Sequence, residues 1–71
     1  MVGKYLIIDN DIPILLSEAS RHTDIVNKKR IISAGYFIFN EKFKCYGESI
    51  SLGIKSRKED SDILNVFFNR G

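Results

Sequence analysis

The stretch that decides the fold is Arg30 to Phe39, RIISAGYFIF. It is rich in β-branched and aromatic residues, which favour a pleated, packed surface. Alternation puts Ile32, Ala34, Tyr36 and Ile38 on one side and Ile31, Phe37 and Phe39 on the other. A strand apolar on both sides belongs in the middle of a sheet.

Downstream, Asn40, Glu41 and Lys42 make a tight connection into Phe43 to Ile54, FKCYGESISLGI, read as the returning strand of a hairpin. Its apolar parity changes, because Phe43 and Cys45 are odd while Ile50, Leu52 and Ile54 are even. A bulge at Gly47 is the expected remedy, since glycine accepts positive φ. Ser56 and Glu59 then have the spacing of a capping box, so a helix is predicted to start there. At 100° per residue Ile63, Leu64, Val66, Phe67 and Phe68 form its apolar stripe, opposite Lys58, Asp62, Asn65 and Asn69.

Upstream, Lys4 to Asp9 (KYLIID) is a short strand, the Asp9-Asn10-Asp11 run is a turn, and Ile12 to Leu16 returns as its partner. Pro13 lacks an N–H, which places that partner at a sheet edge. The alternative is a helix capped by Asp11, with Pro13 in its first turn, running toward His22. Ser17 to Asn27 is polar, a loop or a short helix. The expected fold is therefore α+β: an antiparallel sheet of about four strands, built from two hairpins, with a C-terminal amphipathic helix packed on one face.

Length and composition bound the function. A chain of 71 residues supports one domain and one core, with stability of roughly 4 to 10 kcal/mol. Its 44% hydrophobic content argues against disorder. The net charge of +2 is too slight to imply a polyanion partner. Cys45 is the only cysteine, so no internal disulfide forms and a reducing, cytoplasmic setting is expected. Residues 1–9 lack the pattern of a signal peptide, and no apolar run approaches a membrane span, so no membrane partner is expected.

Candidate chemistry is sparse. His22 and Asp24 make an H-x-D pair, but on a helix they would diverge by about 200°, and an exposed loop histidine is the plainer reading. Gly47 to Ser51 (GESIS) departs from the G-x-S-x-G elbow of serine hydrolases at its fifth position, and Ser49 and Ser51 read as solvent-facing strand residues. Cys45, beside Lys44, has no resolving partner and reads as a strand thiol packed as a small hydrophobe. One His and one Cys cannot supply a tetrahedral zinc site. The Asp9-Asn10-Asp11 run fails as a calcium loop because Pro13 and Ile14 occupy the next ligand and glycine positions. No catalytic residue, metal or cofactor is therefore expected.

Two binding readings remain. Lys28, Lys29 and Arg30 form one basic cluster and Lys55, Arg57 and Lys58 another, both at strand ends where phosphates could be met. Between them Gly35 to Phe39 resembles the aromatic strand of RNA-recognition and cold-shock domains, over about five residues. The β-α-β-β-α-β order of the first is missing, and the second would not end in a capped helix. The favoured reading is a non-enzymatic module acting on a protein partner or on itself as a homodimer, through the sheet edge opposite Pro13 or the face left bare by a single helix.

Overall fold

The computed structural model describes residues 1–20 and 30–68. Strands β1 (Val2–Ile8), β2 (Ile12–Leu16), β3 (Ile31–Asn40) and β4 (Lys42–Tyr46) form a four-stranded antiparallel sheet in the order β2-β1-β3-β4. A small hairpin, β5 (Glu48–Ser49) with β6 (Ile54–Lys55), follows, and helix α1 (Asp60–Phe68) packs on the sheet. The α+β architecture is the one that the hydrophobic pattern predicts.

Residues Asp9 to Asp11 turn the chain between β1 and β2, with Asn10 at φ 65° and Asp11 at φ 56°. Such left-handed backbone suits Asn and Asp, whose short polar side chains bond locally. Residues 12–16 are thus strand and not the alternative helix. Pro13 lies on the outer strand, where its missing N–H leaves the ladder intact. The polar segment after it is described only to Ser20, whose N–H donates to the Ser17 carbonyl at 3.0 Å; the remainder lies outside the described residues.

Tyr5, Leu6 and Ile7 of β1 are fully buried, and so is Ala34 of β3. Because successive side chains alternate, both faces of the central strands are dry around these residues, while Val2 and Ile38 toward the other end are exposed. The helix-side cluster joins Tyr5, Ile7, Phe37, Phe43 and Leu64, and the Phe43 ring lies 5.5 Å from that of Phe37 and 4.6 Å from that of Phe39. Ile32, expected beside Ala34, packs instead against this cluster. The β1–β3 register slips there, with Ile7 opposite Ser33 and Ile8 opposite Ile31, and one extra residue reverses the facing of what precedes it.

The long strand expected over residues 43–54 is divided among β4, β5 and the start of β6. Gly47, at φ 75°, ends β4 instead of forming a bulge within one continuous strand, and residues 50–53 turn the chain back. Gly53, at φ 68°, completes that turn by donating its N–H to the Ser49 carbonyl at 2.8 Å. Ser49 is buried and not solvent-facing, and its Oγ accepts the Leu52 N–H at 3.3 Å. The predicted capping box does not form either. Ser56 donates both its N–H (3.0 Å) and its hydroxyl (2.8 Å) to the Gly47 carbonyl, closing the base of the β5–β6 hairpin. The helix starts later, at Asp60.

Candidate functional site

Strand β4 is an edge, and its outward backbone groups need partners. Helix α1 supplies them. Asn65 accepts the Phe43 N–H at 2.6 Å and donates to the Phe43 carbonyl at 3.1 Å, while the Ser61 hydroxyl accepts the Cys45 N–H at 2.8 Å. The spacing explains the fit: four helical residues advance about 6 Å, close to the roughly 6.6 Å of two strand residues. The edge expected to be open for pairing is therefore covered at Phe43 and Cys45.

This pairing rolls the helix. Asp60, Ser61, Leu64, Asn65 and Phe68 share an arc of about 140° that faces the sheet, roughly 90° from the centre of the apolar stripe. Leu64 is buried and Phe68, itself 40% exposed, reaches the Phe43 ring at 5.5 Å, while Val66 is 68% exposed and Phe67, its ring 5.0 Å from that of Phe68, is 41% exposed. The expected stripe is thus only partly inward, and Asn65, assigned to the polar side, faces β4. Val66 and Phe67, with Ile63, which also packs against the core cluster, line an open groove of about 460 Å³ with Ile12, at the start of β2. Asp11, Glu59 and Asp62 stand on its rim. An apolar floor with an acidic rim can hold an apolar segment flanked by cations.

Beneath the helix start lies a buried polar network. Asp60 is fully buried and its carboxylate accepts the Tyr5 hydroxyl at 2.5 Å, the Arg57 N–H at 2.9 Å and the Arg57 Nε–H at 2.9 Å. It closes the turn that leads into the helix, places a negative charge in the first turn and fixes the helix to β1. Arg57 also approaches Asp11 at 3.5 Å and Glu59 at 3.8 Å. Burial pulls the guanidinium down, but the Asp60 hydrogen bond and the surrounding carboxylates outweigh it and hold the group above its ordinary value. Burial also pushes the Tyr5 phenol well above its usual value, reinforced by Asp60. The Cys45 thiol is pushed up to about 11, chiefly by burial, with the Ser61 hydrogen bond acting in the opposite direction. A thiol held neutral at physiological pH is a poor nucleophile.

Of the basic residues singled out from the sequence, the structure describes Arg30, Lys55, Arg57 and Lys58. Lys28 and Lys29 lie outside the described residues, as do His22 and Asp24. Arg30 is exposed just before β3. Lys55 stands opposite Glu48 in the small hairpin, Lys58 is exposed before α1, and Arg57 is engaged by carboxylates. Of the strand aromatics, Phe37 is core, while Tyr36 stacks on Tyr46 at 5.9 Å. Sequence reasoning missed Ile12, Val66 and Phe67 as a surface because it assigned Val66 and Phe67 to the helix interior; a polar Ser61–Asn65 pair four residues apart was the available signal. Among the described residues no three His, Cys, Asp or Glu side chains gather as a metal site, and no helix is long and apolar enough to cross a membrane. Comparison with protein-family models, with curated proteins and with solved structures yields no match, so the functional reading rests on this geometry.

Proposed function

We propose that this chain is a non-enzymatic module that works through protein contacts, and that its contact surface is the groove between the β1–β2 turn and α1. One observation carries the reading: the helix turns Ser61 and Asn65 to the sheet and leaves Val66 and Phe67 toward solvent beside Ile12. Exposed apolar side chains collected in a concave site, with charge at the rim, have the make-up of a protein interface. The acidic rim selects a partner segment carrying Lys or Arg beside its apolar residues. A photo-crosslinking amino acid at Val66, with Glu48 as the exposed control position, tests it in cells. A discrete protein adduct from position 66 alone supports the module, and equal or absent adducts from both positions overturn it.

A second reading is a nucleic-acid surface on the other face of the sheet. The Tyr36–Tyr46 stack with exposed Lys44 nearby favours it, because bases stack on aromatic rings and cations follow phosphates. Nuclease treatment separates the two: a crosslinked or co-purified partner that disappears with nuclease, and that falls away steeply with salt, supports the second reading over the first.

A further inference from the structure

Strand β4 carries lysines and a tyrosine in a fixed order on the side that alternates with the helix-side cluster. Phe43 and Cys45 pack into that cluster, so Lys42, Lys44 and Tyr46 are presented the other way. Opposite Lys44 on β3 stands Ile38, opposite Tyr46 stands Tyr36, and Lys4 of β1 extends that last row. Three of these six side chains are cations and none is a carboxylate, on a chain whose net charge is only +2.

Tyr46 is the open end of a braced stack. Its ring lies 5.9 Å from that of Tyr36, with the planes 27° apart, and it stays 44% exposed. Tyr36 is held in turn by Lys4, whose ammonium stands 6.0 Å from the ring centre while donating to the Ser20 carbonyl at 2.6 Å. The Gly47 backbone also approaches Tyr36, so closely that a Cβ there would meet the ring at 3.1 Å. An aromatic face already fixed by its neighbours costs little to order when a base stacks on it.

Lys44 and Lys42, both exposed, follow Tyr46 along the strand at steps of about 6.6 Å, close to the length of one extended nucleotide. Beyond them the surface runs into a cleft of about 570 Å³, where Ile38, Lys42 and Lys44 meet Glu41 of the turn and Asp62 of α1. Those two carboxylates repel a phosphate chain and set the far end of its path.

We propose that this face binds single-stranded nucleic acid, with one base stacked on Tyr46 and the following phosphates at Lys44 and Lys42. The proposal rests on the nucleic-acid reading of this face and names the residues and the strandedness: a base within a duplex is already stacked and paired, so its face is closed to Tyr46. Two lysines displace about two counterions, so binding is weak, and the logarithm of its constant falls with that of salt at a slope of about −1.4. Stacking accepts any base, so sequence preference is slight.

The test is fluorescence anisotropy of a labelled oligothymidylate of about twelve nucleotides, against a blunt duplex of the same length, with the full chain titrated to about 1 mM at low salt. The single strand should bind the better of the two. Tyr46→Leu should lose about tenfold in affinity while Tyr46→Phe keeps that of the parent, and Lys44→Gln should lower the salt slope to about −0.7. Tyr46 and Lys44 are exposed, so the variants should keep the parent's circular dichroism and melting. If Tyr46→Leu melts early, the double variant Lys42→Gln/Lys44→Gln carries the test, its slope falling to near zero.

Undiminished binding by Tyr46→Leu, a duplex bound as tightly as the single strand, or an unchanged slope in Lys44→Gln overturns this track and leaves a nucleic-acid site elsewhere on the chain. No binding of either oligonucleotide overturns the nucleic-acid reading together with it. The groove, judged by crosslinking from position 66, stands apart from both outcomes.

Discussion

Replacing Asp60 with Asn should remove much of the protein's stability, and the contacts give the size of the loss. The carboxylate is fully buried and accepts three hydrogen bonds, two of them at Oδ2 and one at Oδ1. An amide has one accepting oxygen. Placed at the Oδ2 position, it keeps Tyr5 and the Arg57 N–H but turns an NH₂ toward the Arg57 Nε–H; flipped, it loses the other two. Either orientation sacrifices at least one bond, the charge assistance of the rest and the Arg57 ion pair, at a cost of about 2–4 kcal/mol. Against a total of roughly 4–10 kcal/mol this lowers Tm by roughly 10–30 °C. Urea unfolding measures it, with Asp62→Asn as the control. That residue is two positions on, exposed, and in the same first turn, so its loss should stay within about 1 kcal/mol. A cycle with Tyr5→Phe should show coupling of about 1–3 kcal/mol between the two groups. A loss below about 1 kcal/mol for Asp60→Asn, or no coupling with Tyr5, would refute the network as the anchor of the helix.

Asn65→Ala should cost about 1–2 kcal/mol and speed amide exchange at Phe43 while β1 keeps its protection; unchanged exchange at Phe43 would mean that the edge is not capped by this side chain. Ser33 is fully buried and its hydroxyl has no hydrogen-bond partner among the described residues, so Ser33→Ala should leave stability unchanged or raise it by up to about 2 kcal/mol in a thermal melt. A clear loss would reveal a partner for the hydroxyl. Stability should also fall in alkali. Folding holds the Tyr5 phenol and the Cys45 thiol neutral above their ordinary values of 10.0 and 9.0, so the unfolded chain ionises first. The contribution of these two groups is complete below about pH 9 and shrinks as pH rises through 9 toward 11. In Cys45→Ala the decline should begin later, nearer pH 10; an unchanged onset would mean that the thiol is not held neutral.

The four principal strands and the helix were legible in the chain because each has a local cause: the two-sided apolar run at Arg30–Phe39, the Asp9-Asn10-Asp11 turn, Pro13 at an edge, and apolar clustering before the C-terminus. The details that failed locally share one reason. Gly47 was compatible with a bulge or a break, and the break was chosen when Ser56 bound the Gly47 carbonyl across the hairpin base. That interaction also removed Ser56 from the capping role its spacing offered, and the helix begins instead at Asp60, which is held by Tyr5 from another strand and closes the preceding turn on the Arg57 N–H.

The groove shows the same division most clearly. Its apolar residues are fixed by the sequence, and so is the helix that carries them. Whether Val66 and Phe67 point inward or outward depends on the helix's rotation, which a periodicity argument sets by apolar content alone. In the folded chain the unpaired N–H groups of β4 exert a stronger, directional demand that Ser61 and Asn65 meet together. The sequence determined which elements form and which residues are apolar; the hydrogen-bonding needs of a strand edge, which exist only once the sheet is assembled, decided which of those residues face solvent.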